Sequence, residues 1–147
     1  VDAEITTPVA DHNTAISYMK AICNMIRTDP EIFTNRSCGV HINIGTFNPS
    51  EIDWLKFMVI FDERLALKEF DRESNRYAIS KLKNVLRDAD LIKNTDVLYL
   101  KSIEETNKIV LNDPQKFSAV NFIKLSQSKP HIEIRAPGGE GYEDKAD

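Results

Sequence analysis

Only two cysteines, Cys23 and Cys38, occur in the 147 residues, and their spacing matches no metal-binding motif. A disulfide framework is therefore not implied, and a reducing, cytoplasmic setting is the expectation. Long hydrophobic runs are missing as well. No stretch of about 18 apolar residues exists to span a bilayer, so no membrane partner is expected. The N-terminus lacks the charged and apolar regions of a signal peptide. Basic residues are in the minority, with 19 Lys and Arg against 23 Asp and Glu, a net charge of −4 and a pI near 5.4. Nucleic-acid binding is driven by neutralising phosphates with Lys and Arg, so this balance argues against nucleic acid as the main partner. There is no internal repeat, low-complexity tract or linker. The chain begins without Met, directly on strand-like sequence, and reads as a single truncated or processed domain over residues 1–147.

What is present is the composition of an ordinary globular protein, 41% hydrophobic and 29% charged, long enough to bury a substantial core. The chain is organised around Lys129-Pro130-His131-Ile132-Glu133-Ile134-Arg135-Ala136-Pro137-Gly138-Gly139. Ile132, Ile134 and Ala136 alternate with His131, Glu133 and Arg135, the period-two pattern of a strand with one buried and one polar face. Two other segments share it: Asp2-Ala3-Glu4-Ile5-Thr6, closed by Thr7-Pro8, and a strand over residues 39–45 with His41 and Asn43 opposite Val40, Ile42 and Ile44.

Between these strands the pattern is helical. Ala15, Ile16, Met19, Ile22, Met25 and Ile26 recur at three- and four-residue steps, which predicts a helix over residues 11–27. Asn48-Pro49-Ser50-Glu51 is a start signal for one long helix reaching residue 70, with Trp54, Leu55, Met58, Phe61, Leu65 and Leu67 buried and Glu63, Arg64, Lys68 and Glu69 wet. Ile79, Leu82, Val85 and Leu86 predict a third helix. A fourth, over residues 95–111, has Leu98, Tyr99, Ile103, Ile109 and Val110 inward. Residues 117–125 read as a strand joined by a short polar connection to the 131–136 strand as a hairpin. The expected fold is α+β, a mostly antiparallel sheet with helices on one face and an open polar face. Glu4, His41, Asn43, His131, Glu133 and Arg135 would then emerge together on that open face.

One imidazole and two carboxylates on one face favour Mg²⁺ or Mn²⁺ over structural Zn²⁺, and Arg135 beside Glu133 suits an anion carried by such a metal. On spacing alone the plainer readings stay open. A Glu and an Arg two apart on a strand can be a solvated pair worth about 0 to 1 kcal/mol. A lone strand His can be a surface residue.

Cys38-Gly39-Val40-His41-Ile42-Asn43-Ile44-Gly45 and the later Ile132-Glu133-Ile134-Arg135-Ala136-Pro137-Gly138 resemble the paired motifs of the amidoligase family, carboxylate-amine ligases with a glutamine-synthetase-like fold. Ala3-Glu4-Ile5-Thr6-Thr7-Pro8 resembles the family's opening strand, Asn75-Arg76-Tyr77 its Arg-and-Tyr segment, and Phe117-Ser118-Ala119-Val120-Asn121 its strand ending in Asn. The five motifs run in the family's order across nearly the whole chain. The resemblance implies Glu4, His41 and Glu133 as metal ligands, Arg135 and Arg76 as catalytic anion contacts, and Asn43 and Asn121 toward nucleotide and substrate. Asn43 stands where the family usually has a second His. An earlier Glu-x-Glu strand of such ligases would precede residue 1, so a fragment lacking its first strand is the expectation.

The implied cofactors are ATP and Mg²⁺ or Mn²⁺, and the implied activity joins a small-molecule or peptide carboxylate to an amine through an acyl phosphate. Two alternatives stand beside it: a non-catalytic binding module retaining the ligase fold, and metal-assisted hydrolysis at the same ligands. An exposed sheet edge would favour pairing between chains, which makes a homo-oligomer an expectation.

Overall fold

A computed structural model of the chain describes residues 3–83, 102–111 and 117–145. The fold is α+β, with four helices and a three-stranded antiparallel sheet among the described residues. The helices are α1 (His12–Thr28), α2 (Trp54–Ile60), α3 (Glu63–Glu69) and α4 (Ile103–Leu111). The strands are β1 (Ile42–Gly45), β2 (Val120–Asn121) and β3 (His131–Ile134). Strand order is β1-β3-β2, so the last strand in the chain is the central one.

Pairing with β1 sets Ile42 opposite Ile134, Asn43 opposite Glu133 and Ile44 opposite Ile132. β2 sets Val120 opposite Ile134 and Asn121 opposite Glu133. Residues directly opposite in a ladder share a face, so Asn43, Glu133 and Asn121 form one row across the sheet. Hydrogen bonds from Thr46 to Pro130 (2.9 Å) and from Val40 to Pro137 (3.2 Å) extend the β1–β3 contact at both ends. The hairpin expectation is met in β2–β3.

Beneath that row lies the core. Ile132 and Val120 pack with Trp54, Leu55, Met58, Leu82, Val110, Phe122 and Leu125, while Ile134 and Ala136 pack with Leu67, Ala78 and Ala119. Burial of such side chains contributes on the order of 1.5–3 kcal/mol each. Asn107 of α4 ties this layer together, since its Oδ1 accepts from the Trp54 N–H and its Nδ2 donates to the Ile52 carbonyl, both at 2.8 Å.

Several expected elements differ. Residues 3–11 form no strand: an isolated β segment needs a neighbour's donors and acceptors, and the sheet's described strands stop at β1. The long helix is divided. Asp53 accepts from the Lys56 N–H at 3.0 Å and Asp62 from the Arg64 N–H at 3.1 Å, so each aspartate caps a new helix inside the predicted one. Asn48-Pro49 opens only a 3₁₀ turn, Pro49–Glu51.

The break changes the phase of the chain beyond it, leaving Leu65 70% exposed and Glu63 fully buried. Residues 117–125 yield only the two-residue β2, because Asn121 Oδ1 accepts from the Ile123 N–H at 2.9 Å and turns the chain into the 3₁₀ helix Ile123–Ser126. Ile42 and Ile44 are exposed, not buried, because β1 is an edge strand that the helices do not cover. Ile16, Met25, Ile79 and Ile103 are also partly exposed. Helix α1 begins where predicted, with Asp11 accepting from the Thr14 N–H at 3.1 Å. Val85, Leu86, Leu98 and Tyr99 lie outside the described residues.

Candidate active site

Strand β3 delivers Glu133 to the face opposite the core, and four side chains close over its carboxylate. Arg135 Nε donates to Oε2 at 3.0 Å, and Asn121 Nδ2 reaches the same oxygen at 3.3 Å. His41 Nδ1 stands 3.3 Å from Oε1, and Lys124 Nζ 3.9 Å from it. Glu133 is only 4% exposed. On a polar face where His41 and Asn43 stay exposed, the acid itself is covered by the neighbouring arginine, lysine and histidine.

Burial on its own would raise the Glu133 pKa, but the Arg135 hydrogen bond and charge, with Lys124 and His41 behind them, hold it below the usual carboxylate range. The acid is ionised at neutral pH. The His41 pKa is lowered, first by burial and then by the Arg135 charge, against the opposing pull of Glu133 and Glu4. A neutral imidazole whose Nδ1 faces a carboxylate oxygen carries its hydrogen there and keeps a lone pair on Nε2.

The other expected residues fall into place differently. Glu4 lies in the extended, exposed segment ahead of α1, near enough for its charge to act on His41. Among the described residues, no three His, Cys, Asp or Glu side chains converge on a metal-sized position. Glu133 nonetheless offers oxygen donors of the kind a hard divalent cation accepts when water and phosphate complete its shell, with the His41 imidazole beside them. Asn43 is exposed on β1 opposite Glu133. The Asn121 amide is engaged at both ends, by Glu133 and by the Ile123 N–H. Arg76 lines a cleft whose walls include none of these residues, and it donates to Tyr77 Oη at 2.6 Å. His131 Nδ1 faces the Lys129 carbonyl at 2.9 Å.

Two contributors escaped the sequence reading. Lys124 was hidden by assigning residues 117–125 to one strand, whereas the Asn121 turn brings it back toward Glu133. Arg72 sits in a polar stretch that gave no periodic signal. It is buried, and its guanidinium donates to the main-chain carbonyls of Arg135, at 3.1 Å, and Pro137. Burial lowers its pKa. Gly138 makes room for it, since a Cβ there would lie 2.7 Å from Arg72 Nη1.

A buried, ionised carboxylate gripped by arginine and histidine on an antiparallel sheet is a polar centre of the kind that handles anions and cations. Over residues 1–146 the chain matches the family model described as "Putative amidoligase enzyme", and it belongs to that family, a family of ligases. Comparison with curated proteins and with solved structures gave no match. No described helix is long and apolar enough to cross a membrane.

Proposed function

We propose that the chain is an ATP-dependent carboxylate-amine ligase that forms an amide or isopeptide bond. The observation that supports this most directly is the Glu133 carboxylate, ionised and flanked by Arg135 and His41, in a chain of the amidoligase family. In this reading a substrate carboxylate oxygen attacks the γ-phosphorus of ATP and ADP leaves. The amine then attacks the acyl carbon, inorganic phosphate departs, and the amine loses a proton. Such transfer depends on positioning and charge neutralisation more than on covalent help from the protein.

His41 and Glu133, with Glu4, would hold Mg²⁺ or Mn²⁺, which neutralises phosphate charge when bound. Arg135 serves as the anion contact, its own orientation fixed by Glu133. Asn43, exposed on the same row, is available to a nucleotide. Magnesium-dependent release of ADP in the presence of a carboxylate and an amine tests the proposal. Full activity in the Glu133→Ala, Arg135→Ala double variant would overturn it. A non-catalytic module is the second reading, supported by the lack of a three-donor cluster among the described residues. It predicts ATP·Mg²⁺ binding without turnover.

A further inference from the structure

Away from Glu133, a cleft of about 730 Å³ opens beside residues 70–77, the size of a small-ligand pocket. Three arginines line it, Arg36, Arg72 and Arg76, together with Ser37, Ser74 and Tyr77. Two acids share its walls. Of these, Asp71 is already paired with Lys145 at 3.2 Å, which leaves Glu140 against three guanidinium groups.

The buried member is the telling one. Arg72 is 3% exposed, yet its hydrogen bonds go to neutral main-chain carbonyls, and no carboxylate pairs with it among the described residues. Its Nε is buried without a hydrogen-bond partner. A guanidinium taken out of water without an anion is an unfavourable arrangement, and an incoming oxyanion relieves it. Arg76 is held ready at the surface by Tyr77, whose ring lies 4.7 Å beneath its guanidinium and whose hydroxyl accepts its hydrogen bond. Arg36 belongs to the facing loop, and that loop is tied to the same wall, because Asn75 Nδ2 donates to the Arg36 carbonyl at 3.0 Å.

We propose that this cleft is an oxyanion-binding subsite that takes a carboxylate or phosphate group of a small ligand, with Arg36 and Arg76 as its exposed contacts and Arg72 as its buried positive charge. The subsite does not depend on the ligase reading, because occupancy is measured without turnover. Its link to the end of β3 is a main-chain contact, the Arg72 hydrogen bond to the Arg135 carbonyl, which does not involve the Glu133 carboxylate.

Calorimetric titration of the full chain with inorganic phosphate and, separately, with glutarate at matched ionic strength tests the proposal and tells the two sources apart. Saturable one-to-one binding of either anion is expected, and the tighter of the two identifies the group. The Arg36→Gln, Arg76→Gln double variant changes only exposed side chains and should keep the wild-type circular dichroism spectrum while weakening binding about tenfold or more. Glu133→Gln should leave this binding unchanged. Absence of saturable binding by both anions, or equal affinity in wild type and the Arg36/Arg76 variant, would overturn the proposal.

Discussion

His41 Nδ1 lies 3.3 Å from Glu133 Oε1, so an imidazole and a carboxylate on neighbouring segments of the sheet behave as one electrostatic unit. The first prediction concerns its titration. His41 should titrate below the ordinary histidine value of 6.5, because burial and Arg135 outweigh Glu133 and Glu4. Glu133→Gln removes a negative neighbour and should lower the value further; Arg135→Gln removes a positive one and should raise it. Imidazole proton resonances followed against pH measure both changes, and opposite signs would contradict the assigned geometry.

Acid stability depends on the same pair. A carboxylate whose folded pKa is depressed contributes stability that is present above its unfolded value, 4.5, and is lost as pH falls through the folded one. His41, also depressed, adds in the same direction, because below 6.5 the unfolded chain takes up its proton first. Glu63 works the other way. Burial raises its pKa, so ionising it in the folded chain costs stability as pH rises through that value. Urea titrations between pH 3 and 7 should therefore show a flatter acid limb for Glu133→Gln than for wild type and a steeper one for Glu63→Gln.

Removing Glu133 outright leaves Arg135, 13% exposed at its side chain, beside a vacated position. Glu133→Ala should lower stability by about 3 kcal/mol, the scale for breaking one side of a buried ion pair. Chemical denaturation measures it, and a loss under about 0.5 kcal/mol would show that the contact is solvated.

Two glycines with positive φ offer a controlled contrast. Gly138 has φ +119°, and a Cβ there would meet the Cys38 carbonyl oxygen and Gly39 Cα at 2.8 Å, backbone atoms that cannot rotate away. Gly141 has φ +69° with open space around it. Gly138→Ala should destabilise by more than about 2 kcal/mol and Gly141→Ala by about 1 kcal/mol. Thermal melts of the two variants side by side check the order.

Asn107 gives a prediction for the core. Its amide answers the Trp54 N–H and the Ile52 carbonyl across two elements, so Asn107→Ala should cost about 2–3 kcal/mol by leaving both unpaired. Equilibrium unfolding in urea reads the value directly.

The central strand was legible because the alternation of Ile132, Glu133 and Ile134 survives in its buried and polar faces, and the three- and four-residue spacing of apolar side chains placed α1 to within a residue at each end. The shared face of His41, Asn43, Glu133 and Arg135 could be drawn from period-two reasoning alone, whereas Asn121 came in only through the family resemblance. What sequence periodicity missed was competition by local side chains. Asp53, Asp62 and Asn121 each bond a nearby main-chain N–H, and each ends or restarts an element that the hydrophobic pattern continues through. Arg72 was unreadable for another reason: a single buried cation in a polar turn leaves no periodic trace.

Under the proposed function, Glu133 and His41 form the polar centre of a metal-nucleotide site. Water-proton relaxation of Mn²⁺ and ATP titrated into the full chain tests it most directly. Wild type should bind Mn²⁺·ATP in a ternary complex that the Glu133→Gln, His41→Gln double variant, folded by circular dichroism, loses by at least about tenfold. Equal Mn²⁺·ATP affinity in the two proteins would contradict the account.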